Sequence, residues 1–162
     1  MKIGYALRGS AQQKYFDERR SPTTLEVDVS FKEPIGAIQL LNFKETDKSV
    51  KAYSLVSLMA EKFRALLQQE IRNRYRRQDV YDLYSLIIRF PLDEDEKGKL
   101  LAILKEKCVA RGVIADRSSL EQGPIVERAK ADWGTMELEI GEIPDFDACF
   151  REVNALYKSL SW

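Results

Sequence analysis

The sequence contains no histidine. That one absence excludes Ser-His-Asp and Cys-His catalysis, histidine general bases and histidine-ligated zinc. Any chemistry has to run on carboxylates, lysine, arginine, tyrosine and a hard cation held by oxygen ligands. Cysteine is nearly as scarce. Cys108 and Cys149 lie in separate apolar helical patterns without metal-ligand spacing, and read as buried thiols rather than as a disulfide or a nucleophile. Net charge is also lacking, because 26 Lys and Arg cancel 26 Asp and Glu. The field of the whole chain therefore neither attracts nor repels nucleic acid, and only local charge can do so. No apolar run has the length of a signal peptide or a membrane span, so the expected compartment is the cytoplasm and no membrane partner is expected.

What is present is a globular composition. At 162 residues with 44% hydrophobic side chains, the chain can close a core without a metal or disulfide staple, and it is too rich in large apolar residues to be disordered. Alternation predicts strands over Lys2 to Leu7 and Leu25 to Phe31, joined by a polar loop through Gly9-Ser10 and Ser21-Pro22. Glu33-Pro34 and Gly36 end the second strand. Further extended pieces are expected at Ile38 to Phe43 and Val50 to Tyr53.

From Ser54 the period changes to about 3.6. Leu55, Leu58, Met59, Phe63, Leu66 and Leu67 form a stripe, predicting a helix capped by Ser54 and running to about Arg72. Val80, Leu83, Tyr84, Ile87 and Ile88 mark a second helix, stopped by Pro91. A third opens on the acidic run Asp93 to Glu96, which suits the positive end of a helix dipole, and closes at Gly112. Gly123-Pro124 starts another, and Asp145 to Leu160 is a final amphipathic helix. The expected class is α+β with helix dominant: a sheet region over residues 1–53, then a helical bundle over 54–162, together one compact unit with about five helices packed on the sheet and on one another.

Four constellations could carry chemistry. Lys62 falls one turn after Leu58 and Met59 and one turn before Leu66, inside the apolar stripe. It either snorkels to water over its own stem or meets a carboxylate in a polar cavity. Asp79 and Asp82 are three apart on the side of their helix away from its apolar stripe. They serve either as an N-cap and a first-turn charge, or as the partners that fix Lys62. Glu26 and Asp28 share a strand face and could hold a cation if a third oxygen joined them; otherwise they are the wet side of a half-buried strand. Arg72, Arg74, Arg76 and Arg77 surround Tyr75. Between Glu61 and Arg77 six positive residues, Arg64 among them, face two negative ones. Such a cluster either holds RNA phosphates with Tyr75 stacking, or is solvated and paired with the acidic run at 93–96.

The order of Leu-Glu-Val-Asp-Val-Ser (25–30), Glu33-Pro34, Ala-Glu-Lys-x-x-Ala-Leu (60–66) and Asp-x-Tyr-Asp-Leu (79–83) resembles the AbiEii family of nucleotidyltransferase toxins of type IV toxin-antitoxin and phage-defence systems. The resemblance covers roughly residues 2 to 90. It implies a DNA polymerase beta-like fold that transfers a nucleotidyl group from a nucleoside triphosphate (NTP), with magnesium (Mg2+), onto an acceptor such as tRNA. By motif, Lys62 would contact the triphosphate with Arg64 beside it, Asp79 and Asp82 would support the lysine or act at the reacting end, and Asp28 would match a later-strand metal carboxylate with Glu26 near it. The family's upstream Gly-Ser and Asp-x-Asp segment has no match at the right spacing. Gly9-Ser10 followed by Glu26-Val27-Asp28 only imitates it. The expectation is a chain truncated at its N-terminus: either a transferase, or a non-catalytic domain that binds a cognate antitoxin, RNA or itself as a homo-oligomer.

Overall fold

The computed structural model describes residues 2–21, 23–27, 37–45 and 47–162. The chain divides into two compact units, Met1–Glu33 and Pro34–Trp162. In the first, β1 (Lys2–Gly4) pairs antiparallel with β2 (Thr24–Glu26), Ile3 opposite Leu25, and a short helix α1 (Gln13–Asp17) lies in their connection. β1 is shorter than alternation predicts. Ile3, Tyr5, Leu7 and Leu25 are exposed within this small hairpin. The rest of the predicted second strand, from Asp28 to Phe31, falls outside the described residues, as do Glu33-Pro34 and Gly36.

In the second unit β3 (Ile38–Asn42) and β4 (Ser49–Tyr53) form another antiparallel hairpin, with Ile38 opposite Tyr53. Among the described residues the strands thus form two two-stranded sheets, β1–β2 and β3–β4, where a single sheet region was expected. The helices that follow are α2 (Leu55–Gln68), α3 (Arg77–Arg89), α4 (Glu94–Ala110), α5 (Gly123–Lys130), the single turn α6 (Glu137–Ile140) and α7 (Phe146–Ser159), with 3-10 turns at Ser119–Glu121 and Trp133–Met136. The architecture is helix-dominant α+β.

Local chemistry sets the boundaries. Ser54 caps α2 as predicted, its Oγ accepting from the Ser57 amide at 3.2 Å. The Ala37 carbonyl accepts from the Ser54 amide at 2.9 Å and from Ser57 Oγ at 3.0 Å, which ties the β3–β4 hairpin to the helix start. At the other end α2 stops at Gln68, not Arg72. The chain turns through Asn73 at φ 47°, and the Arg74 amide donates back to the Gln69 carbonyl at 2.8 Å. Asn tolerates the left-handed region better than most residues, so Asn73 fits the bend. The acidic run is engaged locally. Asp93 and Glu96 form a reciprocal capping box, and Glu94 pairs with Lys97 at 2.7 Å. Gly112 follows α4 with φ 65°, and Pro124 sits in the first turn of α5.

Packing centres on α2. Met59, Phe63 and Leu66 are fully buried; α4 contributes Leu100 and Leu104, α3 Val80 and Leu83, and α7 Val153 and Tyr157. The stripe of α3 is only partly used, because Ile88 points outward. Both thiols are buried free cysteines, and burial pushes Cys108 up to about 11. Native protein at pH 8 is therefore expected to leave Cys108 unalkylated by iodoacetamide, with modification appearing only after denaturation, as read by mass spectrometry.

Candidate functional site

The helix pair α2–α3 brings three predicted residues together. Lys62 projects from the middle of α2 toward the first two turns of α3, where its Nζ lies 3.1 Å from Asp79 Oδ1 and 2.5 Å from Asp82 Oδ2. The Lys62 and Asp79 side chains are 16% and 15% exposed, whereas Asp82 is 46% exposed, so the pair closes inward and the third member opens outward. Of the two readings of Lys62, the paired one holds. Its stem lies at the edge of the apolar stripe, next to the partly exposed Leu58.

The two aspartates also differ from the bland expectation. Arg76 is the N-cap of α3, without a side-chain cap, so Asp79 is the third helical residue and Asp82 lies a turn further on. Asp79 sits where the helix dipole favours an anion, and its second oxygen is 3.6 Å from Arg76 Nη1. Burial alone would push the Lys62 ammonium down. The Asp82 hydrogen bond and the charges of Asp79 and Asp82 outweigh it, and the net direction is up. Lys62 is therefore a fixed cation at neutral pH, not a base.

A cleft of about 500 Å³ lies alongside, with Lys62, Asp82 and Arg89 as its charged lining and Leu58, Leu86 and Phe90 among its apolar walls. Arg89 was not singled out from the sequence. Its spacing of seven from Asp82 places it two turns along the same helix face, a signal that only the position of the cleft makes meaningful.

The other candidates lie elsewhere. Arg64, two residues from Lys62, is about 200° around α2. Its guanidinium is buried and bonds Glu61 and Gln68, while Lys107 approaches Glu61 at 3.2 Å. The structure does not bring Arg64 to Lys62, and contact with a nucleotide would require it to leave those partners. Arg72, Arg74 and Tyr75 are exposed in the α2–α3 turn, with Arg76 and Arg77 half-buried at its end. Of the acidic run that one reading paired with them, Asp93 and Glu96 cap α4 and Glu94 pairs with Lys97. Arg128 from α5 joins this cluster instead, 5.6 Å over the Tyr75 ring and donating to Asn73 Oδ1 at 3.1 Å. Nothing in the sequence marked it.

Among the described residues the fit to a metal is poor. Glu26 pairs with Lys2 at 2.8 Å on an exposed hairpin, Asp28 lies outside the described residues, and Asp79 and Asp82 are engaged with Lys62. Among the described residues no three His, Cys, Asp or Glu side chains are grouped to hold a cation. Nor is any helix among them long and apolar enough to cross a membrane.

A family model described as Nucleotidyl transferase AbiEii toxin, Type IV TA system, matches residues 4–152. The match runs well past Pro91, beyond the roughly 2–90 that the motifs cover, and takes in the C-terminal helices as far as residue 152. No curated protein and no solved structure matches the chain.

Proposed function

This chain belongs to the AbiEii family of nucleotidyl transferase toxins of type IV toxin-antitoxin systems, and from that premise we propose that it transfers a nucleotidyl group from a nucleoside triphosphate to an RNA acceptor such as tRNA at the Lys62 cleft. The observation that carries the reading is the clamp of Lys62 between Asp79 and Asp82 on the wall of that cleft. In such a transfer an acceptor oxygen bonds to the α-phosphorus while the bond to the pyrophosphate leaving group breaks. Charge gathers on phosphoryl oxygens, and a cation already fixed in place stabilises it without reorganising. Two carboxylates hold Lys62 in position and keep it charged. Arg89 adds a second cation to the cleft and offsets the repulsion that Asp82 offers a triphosphate. Asp82, nearly half exposed, can accept a hydrogen bond from the acceptor hydroxyl. Among the described residues the acids do not assemble a magnesium site.

The partners in this reading are a cognate antitoxin, as the family description supports, and an RNA whose phosphates track the exposed arginine turn. Arg74→Gln is expected to weaken binding of a single-stranded RNA and to reduce the slope of log affinity against log salt by about 0.7. Fluorescence anisotropy across a salt series reads it, and a flat salt response would remove the turn from the interface.

The deciding assay incubates purified chain, magnesium and total tRNA with each of the four labelled nucleoside triphosphates. Label in RNA with at least one of them is the expected result. Absence of transfer, together with absence of calorimetric nucleotide binding, would overturn the reading. The chain would then be a non-catalytic interaction domain that binds an antitoxin, RNA or itself.

A further inference from the structure

A smaller cavity of about 280 Å³ adjoins the Lys62 cleft and shares two of its walls, Tyr81 and Asp82. Its other lining comes from Gln78 on α3 and from Met136, Glu139 and Ile140 beside and within α6. Gln78 Nε2 donates to Glu139 Oε2 at 3.1 Å, which sets an amide and a carboxylate side by side at the rim. Met136 is almost fully buried and Ile140 half exposed, giving an apolar bed beneath the polar pair.

The charges sort the two spaces. Both lining cations, Lys62 and Arg89, belong to the larger cleft, whereas the charged groups of the smaller one are the carboxylates Asp82 and Glu139. A phosphate would be repelled there. A group rich in hydroxyl or amino donors with a flat apolar face would be held, since carboxylates accept such donors and an amide reads a base edge. The geometry points to a second binding site: the Gln78–Glu139 pocket receives the terminal nucleoside of the acceptor strand. Asp82 then stands at the boundary, between the phosphates of the donor on one side and the sugar hydroxyls of the acceptor on the other. The inference rests on the transferase reading for the identity of its ligand, and on the cavity and its charges for its place.

The test uses the full chain with 13C-labelled methionine methyl groups. Its 3 methionines include Met136 in the pocket wall and Met59 in the core as an internal reference. Adenosine or cytidine, carrying no phosphate, is expected to move the Met136 resonance, whereas inorganic tripolyphosphate leaves it in place. Gln78→Ala, which deletes the amide, and Ile140→Trp, which fills the mouth at a half-exposed position, are each expected to weaken the nucleoside titration about tenfold. In the transfer assay both variants raise the KM for the acceptor and leave the KM for the nucleoside triphosphate unchanged. Nucleosides that leave Met136 unmoved would overturn the inference, as would a rise in the triphosphate KM instead. A chain that shifts Met136 with nucleosides yet transfers nothing would keep the pocket and remove the transferase reading. Transfer with an unchanged acceptor KM in both variants would do the reverse.

Discussion

Lys62→Met is expected to reduce nucleotidyl transfer by about 100- to 1,000-fold, the scale on which a single preorganised charge-stabilising group acts. The same substitution strips Asp79 of its nearer partner and leaves a largely buried carboxylate whose remaining ion-pair partner among the described residues is Arg76 at 3.6 Å. That loss should cost roughly 1–3 kcal/mol in chemical denaturation. Asp82 contributes less to it, because water screens a side chain that is nearly half exposed. Activity and stability are separable by a second change. Asp79→Asn in the Lys62→Met background removes the orphaned charge, so stability should recover while transfer stays low. A destabilised Lys62→Met chain that still transferred at the unmodified rate would make the lysine purely structural. The clamp also has a pH signature. The Lys62 pKa in the folded chain lies above its ordinary value of 10.5. Its stabilising share is therefore fully present below pH 10.5 and is lost as pH rises through the folded value. Unfolding curves should show wild type holding this share from pH 7 up to 10.5 and losing it only at more alkaline pH, and the Lys62→Met curve should lack that alkaline loss.

Phe63→Ala is expected to be the most damaging single core change, at roughly 3–5 kcal/mol. Phe63 is fully buried, and its ring centroid lies 5.4 Å from that of Tyr157 on α7. Tyr157 cannot slide into the vacancy freely, because its hydroxyl donates to the Asp116 carbonyl at 2.8 Å. Burial also pushes the Tyr157 phenol upward, so it stays a neutral donor at any ordinary pH. A domain of this size loses roughly 2–4 °C of Tm per kcal/mol, so calorimetry should show a fall of about 10 °C. Ile88→Ala, at an outward-facing position of α3, is the control and should move stability by no more than about 0.5 kcal/mol. Equal losses at the two positions would contradict a core centred on α2.

The helical part was legible because its signals are local. Ser54, the Asp93–Glu96 box, Gly112, Pro124 and Asp145 each act within one turn of the backbone, and the stripes of α2 and α7 repeat a fixed angular step. The sheet region was harder to read. Alternation over Lys2 to Leu7 records which side chains could face a common surface, but strand length depends on a partner, and β1 has one only for three residues. The acids at 93–96 show the opposite limit. Their number offered partners for the arginine turn, but the helix cap takes Asp93 and Glu96, and Lys97 takes Glu94.

By itself the sequence determined the succession of the longer helices α2, α3, α4, α5 and α7, the inert thiols, the absence of imidazole chemistry and the motif order that places the chain in its family, since all of these follow from residue type and short-range spacing. Only the tertiary structure decided which charges meet. Lys62 reaches Asp79 and Asp82 across 17 and 20 residues because the turn at Asn73 folds α3 back along α2. Arg64, two positions away, is carried by the helical rotation into a different network. Arg128 covers Tyr75 from 53 residues further along the chain, and Glu139 finds Gln78 across 61. Periodicity fixes the direction in which a side chain leaves its own helix, but its partner depends on how the helices cross, and that is set by the packing of the whole core.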